Sequence, residues 1–111
     1  MQHGRPSFII VGAQRAGTTS LYHYLCQHPF ILPARTKEVH YFDLNYAKPE
    51  SWYLQHFPLP ISSIPISSSN SPLFLHAEAS PYYLFHPRAA ERIAKFDLNI
   101  RLIFLLRNPA E

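Results

Sequence analysis

Near the start of the chain four apolar, mainly β-branched residues, Phe8-Ile9-Ile10-Val11, run straight into Gly12-Ala13-Gln14-Arg15-Ala16-Gly17-Thr18-Thr19. No other stretch limits the fold as strongly. A strand that is apolar at every position must be covered on both faces, which is the habit of parallel sheets with helices on each side. The glycine-bearing loop then leads into Ser20 to His28, where Leu21 and Leu25 fall four apart beside Tyr24 and Pro29 ends the pattern. A short amphipathic helix is expected there.

From Phe30 to Asp43 the pattern is mixed, with Val39-His40-Tyr41-Phe42 as a strand candidate. Pro49 through Phe57 fits a helix with Pro49 in its first turn and Trp52, Leu54 and Phe57 supplying apolar contacts. Pro58 to Pro72, rich in proline and serine and without period, reads as a loop. A second strand is expected at Leu73-Phe74-Leu75-His76-Ala77, delivering Glu78 at its carboxyl end, where open α/β sheets place ligands. There Glu78 would orient the glycine loop or a ligand, or cap the turn at Pro81. Between Pro87 and Phe96, Ala90, Ile93 and Ala94 make a helical stripe, with Pro87 suited to the first helical position. Ile100 to Leu106 is a third strand, apolar on both faces from Leu102 onward.

Strand, loop, helix, strand, helix, strand predicts an α/β fold, a P-loop-like parallel sheet flanked by helices. The last residues, Arg107-Asn108-Pro109-Ala110-Glu111, fall where another helix is due. Residues 1–111 are therefore expected to be the N-terminal portion of a single domain, truncated at its C-terminus.

Composition narrows the function classes. An apolar share of 47% with only 15% charged residues, against roughly 25% in ordinary domains, argues for burial rather than disorder. Ten Lys and Arg against seven Asp and Glu leave a net charge of +3, scattered rather than blocked, so no nucleic-acid partner is expected. Cys26 is the sole cysteine, and the seven His lack ligand spacing, so neither a disulfide framework nor a metal site is expected. No apolar run approaches the roughly 18 residues that cross a bilayer, and the N-terminal residues lack the apolar core of a secretion signal. No membrane segment is expected in this chain.

Gly12 and Gly17 have the G-x-x-x-x-G spacing of a Walker A loop, in the same strand-to-helix setting. Such loops aim backbone N–H groups and the positive end of a helix dipole at an anion. A nucleoside triphosphatase also needs Lys after the second glycine for the β- and γ-phosphates, then Ser or Thr for Mg²⁺. Here Thr18-Thr19 follows and the cation, Arg15, lies inside the loop. A single terminal phosphate suits it better.

With these residues in view, Val11 to Leu21 resembles the 5′-phosphosulfate-binding loop of sulfotransferases that use 3′-phosphoadenosine 5′-phosphosulfate (PAPS). The likeness is greatest to the carbohydrate branch that includes the heparan sulfate enzymes. Three further segments agree in order. Lys37-Glu38-Val39-His40-Tyr41-Phe42-Asp43 resembles the catalytic-base segment, and Glu78-Ala79-Ser80-Pro81-Tyr82-Tyr83 the next block. Leu105-Leu106-Arg107-Asn108-Pro109 resembles the start of the 3′-phosphate site.

The resemblance implies transfer of a sulfuryl group from PAPS to a hydroxyl or amine, with a carbohydrate as the expected acceptor. It implies a donor site at Gly12, Ala13, Gln14, Arg15, Ala16, Gly17, Thr18, Thr19 and Arg107, and no metal. Glu38 would be the general base, His40 would orient it or touch the acceptor, and Arg15 would face the bridging oxygen. The family commonly has Lys at the Arg15 position, and a planar guanidinium is not equivalent to an ammonium. Some heparan-type enzymes carry Lys directly after the Glu78 position, where this chain has Ala79. Two other readings stay open: a P-loop nucleotide kinase, and a truncated, inactive nucleotide-binding fragment. The expected compartment is the cytoplasm for a bacterial protein, or the Golgi lumen for a eukaryotic parent whose anchor lies elsewhere.

Overall fold

The computed structural model describes residues 4–58 and 74–106. Strand β1 (Pro6–Gly12) is followed by helix α1 (Thr18–Leu25), strand β2 (Ile31–Pro33) and helix α2 (Glu50–Leu54). Then come strand β3 (Leu75–Ala79), a 3-10 helix (Pro81–Leu84), helix α3 (Ala89–Phe96) and strand β4 (Arg101–Phe104). The sheet order is β2-β3-β1-β4 and every pairing is parallel. All four carboxyl ends therefore share one edge of the sheet.

The continuous apolar run of β1 is used on both faces, as its composition requires. Phe8 and Ile10 pack under α1 with Tyr22, Ala77 and Ala79. Ile9 and Val11 face a second core built from Tyr53, Phe57, Tyr83 and Ile93. Tyr22 ties the first layer together: its hydroxyl donates to the Ala77 carbonyl at 3.0 Å and accepts from the Ala34 N–H at 2.9 Å. Burial pushes that phenol well above its ordinary pKa, so it remains a donor. The second layer is aromatic. Tyr41 stacks on Tyr53 with centroids 4.6 Å apart, while Phe42 meets Tyr53 and Tyr83 edge-on.

β1 and β3 are neighbours, yet the helices that follow them pack on opposite faces. In sheets of this kind such a divergence marks the edge, beyond the strands' carboxyl ends, where ligands bind.

Several expectations need correction. Val39 to Phe42 is not a strand: Val39 and His40 are irregular and Tyr41 and Phe42 enter a turn. Its N–H groups bond to side chains: His40 to Ser80, Tyr41 and Phe42 to Tyr83. The strand in this region is β2, three residues long and ending at Pro33, a residue tolerated because β2 is an edge. Glu78 lies inside β3 and is fully buried, instead of projecting past the strand end. α1 begins at Thr18, two residues before the expected start, with Gly17 as its N-cap. α3 begins at Ala89 behind Arg88, so Pro87 precedes the helix. The Leu102, Phe104 and Leu106 side chains, expected to be covered, are exposed at 37%, 54% and 74%. The loop from 59 onward, Leu73 and Arg107 lie outside the described residues.

Candidate active site

Two loops leave the carboxyl edge of the sheet with chemistry on them. The first follows β1. Its start is pinned to the exit of β4, for Ala13 N–H donates to the Leu105 carbonyl and Leu105 N–H to the Gly12 carbonyl, both at 2.7 Å. Gly12 has φ +152°, and a Cβ there would stand 2.7 Å from Leu84 Cβ and 2.9 Å from the Pro81 carbonyl oxygen. Only glycine lets the loop start so close to the 3-10 helix. Arg15 and Gly17 take left-handed backbone angles, φ 62° and φ 95°, and turns of alternating hand point successive N–H groups inward.

The loop ends on the N-terminus of α1. No acidic residue occupies the first turn and no side chain caps it, so its positive end is not neutralised locally. Gln14, Arg15, Gly17 and Thr19 are exposed, Ala13 and Ala16 partly so, and Thr18 is buried. The predicted donor residues 12–19 thus form one continuous turn around a helix start.

The second loop follows β2 and carries Glu38. It holds no ladder of its own, and its shape comes from His40, whose backbone is left-handed at φ 54°. The ring bridges two carboxylates: Nε2 to Glu38 Oε1 and Nδ1 to Asp43 Oδ2, both at 2.8 Å. Asp43 is buried and also accepts from Leu44 N–H at 2.6 Å. The His40 carbonyl accepts from the backbone and side chain of Asn45 at 3.0 and 2.9 Å. From α3, Arg92 donates to the carbonyls of Phe42 and Asp43 and lies 4.4 Å from the Tyr46 ring centroid. Glu38 is therefore a half-exposed carboxylate with one oxygen tethered to His40.

Sequence reasoning singled out Glu38 and His40, which the structure brings together, but it assigned no task to Asp43, Ser80, Tyr83 or Arg92. The His40 to Asp43 spacing was the available clue for Asp43. Ser80 follows β3, Tyr83 lies in the 3-10 helix and Arg92 in α3, so their meeting with this loop is a tertiary event.

The charge on His40 has a testable consequence. Burial works against the charged ring, but bonding and attraction from Asp43 and then Glu38 outweigh it, so its pKa lies above 6.5. A raised pKa means that the stabilisation is complete below 6.5, the ordinary value, and is lost as pH rises through the higher folded value. The thermal stabilities of wild type and His40→Gln are expected to differ most near about pH 6 and to converge in alkaline buffer. A gap that widens with pH would show that the neutral ring is the bound form.

A glycine-bearing turn at a helix start and a histidine-tethered carboxylate follow strands of one parallel sheet, an α/β arrangement of the P-loop-like class. Residues 5–111 match the model of the sulfotransferase domain, and the chain belongs to that family. It is 39% identical over 106 residues to the membrane-associated sulfotransferase kil1 of Dictyostelium discoideum, covering 96% of this chain and 21% of that protein. It is 33% identical to heparan sulfate glucosamine 3-O-sulfotransferase 5 of Mus musculus, covering 94% of this chain and 28% of that one. A solved sulfotransferase from Alicyclobacillus acidocaldarius superposes with a TM-score of 0.69 at 28% identity, over 91% of this chain and 44% of the other. The chain thus spans about a fifth to somewhat over a quarter of these curated relatives. Among the described residues no helix is long and apolar enough to cross a membrane.

Proposed function

We propose that residues 1–111 are the donor-and-base portion of a larger sulfotransferase domain that moves a sulfuryl group from PAPS to a carbohydrate hydroxyl or amine. The observation that carries this is Glu38, held by His40 on the same sheet edge as the glycine loop. The loop fits the donor's anionic end: its glycine-enforced turn, its cation and its helix start without acids all favour a phosphate.

When bound, PAPS supplies the sulfuryl group and a phosphate leaving group. Backbone amides and hydroxyls at Gly17, Thr18 and Thr19 hold the 5′-phosphate, with Gly12, Ala13, Gln14 and Ala16 shaping the turn. Glu38 takes the acceptor proton as the acceptor–sulfur bond forms and the bond from sulfur to the bridging oxygen breaks. Arg15 faces that bridging oxygen, where negative charge grows, so it stabilises the transition state more than the ground state. His40, anchored on Asp43, keeps the Glu38 carboxylate in place. The family resemblance assigns Arg107, which lies outside the described residues, to the 3′-phosphate.

Titration calorimetry of the full-length protein with adenosine 3′,5′-bisphosphate (PAP) and with ATP plus Mg²⁺ tests the donor. PAP is expected to bind at least about tenfold more tightly, a difference of roughly 1.4 kcal/mol. Tighter ATP binding would instead support a nucleotide kinase. The relatives' names favour a heparan-type saccharide as acceptor. One relative is described as membrane-associated, which makes attachment through a segment outside this chain the reading we favour for location.

A further inference from the structure

Glu78, the penultimate residue of β3, is fully buried where an ionisable side chain is costly, and the proton transfer does not use it. Burial pushes its pKa up, while the hydroxyls of Ser80, Tyr53 and Tyr83 pull it back. Oε1 accepts from Ser80 Oγ and, at 2.6 Å, from Tyr83 Oη, and Oε2 accepts from Tyr53 Oη.

Two of these hydroxyls are bonded on their other side to the base loop. Ser80 Oγ accepts from His40 N–H at 3.1 Å, and Tyr83 Oη accepts from Tyr41 N–H at 2.9 Å and Phe42 N–H at 3.4 Å. A hydroxyl has one proton and two lone pairs. Giving the proton to Glu78 turns the lone pairs toward the backbone of residues 40–42. These N–H groups lie in a turn without a strand ladder, so the oriented hydroxyls are their partners. The carboxylate thereby fixes the polarity of a relay that ends two residues from Glu38.

We propose that Glu78 is a positioning residue for sulfuryl transfer, acting through Ser80 and Tyr83 to hold the His40–Phe42 backbone and hence the aim of Glu38. The proposal rests on Glu38 being the base. An apolar isostere at position 78 would fill the same space without orienting the hydroxyls, whereas Gln can keep one oxygen toward Ser80 and Tyr83.

The test uses the full-length protein, radiolabelled PAPS and de-O-sulfated heparan sulfate, with PAP affinity measured separately. Glu78→Leu is expected to lower kcat about 100-fold, the scale of a 1 Å misplacement, and Glu78→Gln to keep a larger share. Tyr83→Phe, which retains core volume should Glu78→Leu fail to fold, is expected to lose about tenfold. PAP affinity stays within about twofold in each. In a Glu38→Gln background neither change lowers kcat further, because the relay acts through Glu38. Independently of any acceptor, proton NMR should show the His40 ring titrating at lower pH in Glu78→Leu and Tyr83→Phe. Additive losses in the double variants, or an unchanged His40 titration, overturn the proposal. Wild-type turnover in Glu38→Gln overturns the base assignment instead.

Discussion

Replacing Glu38 with Gln in the full-length protein is expected to reduce sulfuryl transfer by about 10²–10⁴-fold, the range that a positioned general base contributes, while PAP binding changes less than about twofold. The physical reason is local. Gln keeps the size of the side chain and can still offer an oxygen to His40 Nε2, which it meets at 2.8 Å in the native structure. What it lacks is a second oxygen able to take a proton. A variant that folds, binds donor and fails at turnover isolates that loss. Weakened donor binding in proportion to lost turnover would mean that Glu38 shapes the nucleotide site instead.

The second large effect is expected at Gly12, through structure rather than chemistry. An added Cβ meets Leu84 Cβ at 2.7 Å and the Pro81 carbonyl at 2.9 Å, with φ at +152°. Neither neighbour is the free end of a flexible side chain, so the loop or the 3-10 helix has to move. Strain at such a backbone angle and overpacking each cost on the order of 1–3 kcal/mol, so Gly12→Ala should destabilise by about 2–6 kcal/mol and abolish measurable PAP binding. Gly17 is the control. Its Cβ would lie 3.6 Å from Leu105 Cδ2, an ordinary contact, leaving only the unfavourable φ of 95°, about 1–2 kcal/mol. Urea unfolding and calorimetry with PAP measure both variants. Equal stability losses at the two glycines would mean that close packing against the 3-10 helix is not what Gly12 provides.

These two sites differ in how they follow from the chain. The glycine loop was legible because strand, loop and helix start are contiguous: the apolar run of β1, the two glycines and the threonines occupy fourteen consecutive positions, 6–19. Its chemistry is main-chain chemistry and needs little from afar. Glu38 and His40 were legible only as part of a segment resembling a family, since a lone Glu beside Lys37 is ordinarily a solvated charge.

The misread segments share a cause. Val39 to Phe42 has the composition of a strand, with β-branched and aromatic residues in a row, and propensity favours that state. The structure overrides it because Ser80 and Tyr83, some forty residues away, take the N–H groups that a neighbouring strand would have used. Glu78 was placed past the strand's end because charges are rarely buried. It is buried here because three hydroxyls, two from its own segment and one from α2, converge on it.

Local covalent order thus determined the α/β class, the parallel strands and the glycine turn at the helix start, because hydrophobic period and glycine spacing act within a few residues. Tertiary structure alone decided which carboxylate is exposed and which is buried, and which hydroxyls hold the loop that carries Glu38. Those outcomes depend on solvent exclusion and on hydrogen-bond partners far apart in the chain, and neither property belongs to any residue until the sheet has formed and its two aromatic and aliphatic layers have closed over it.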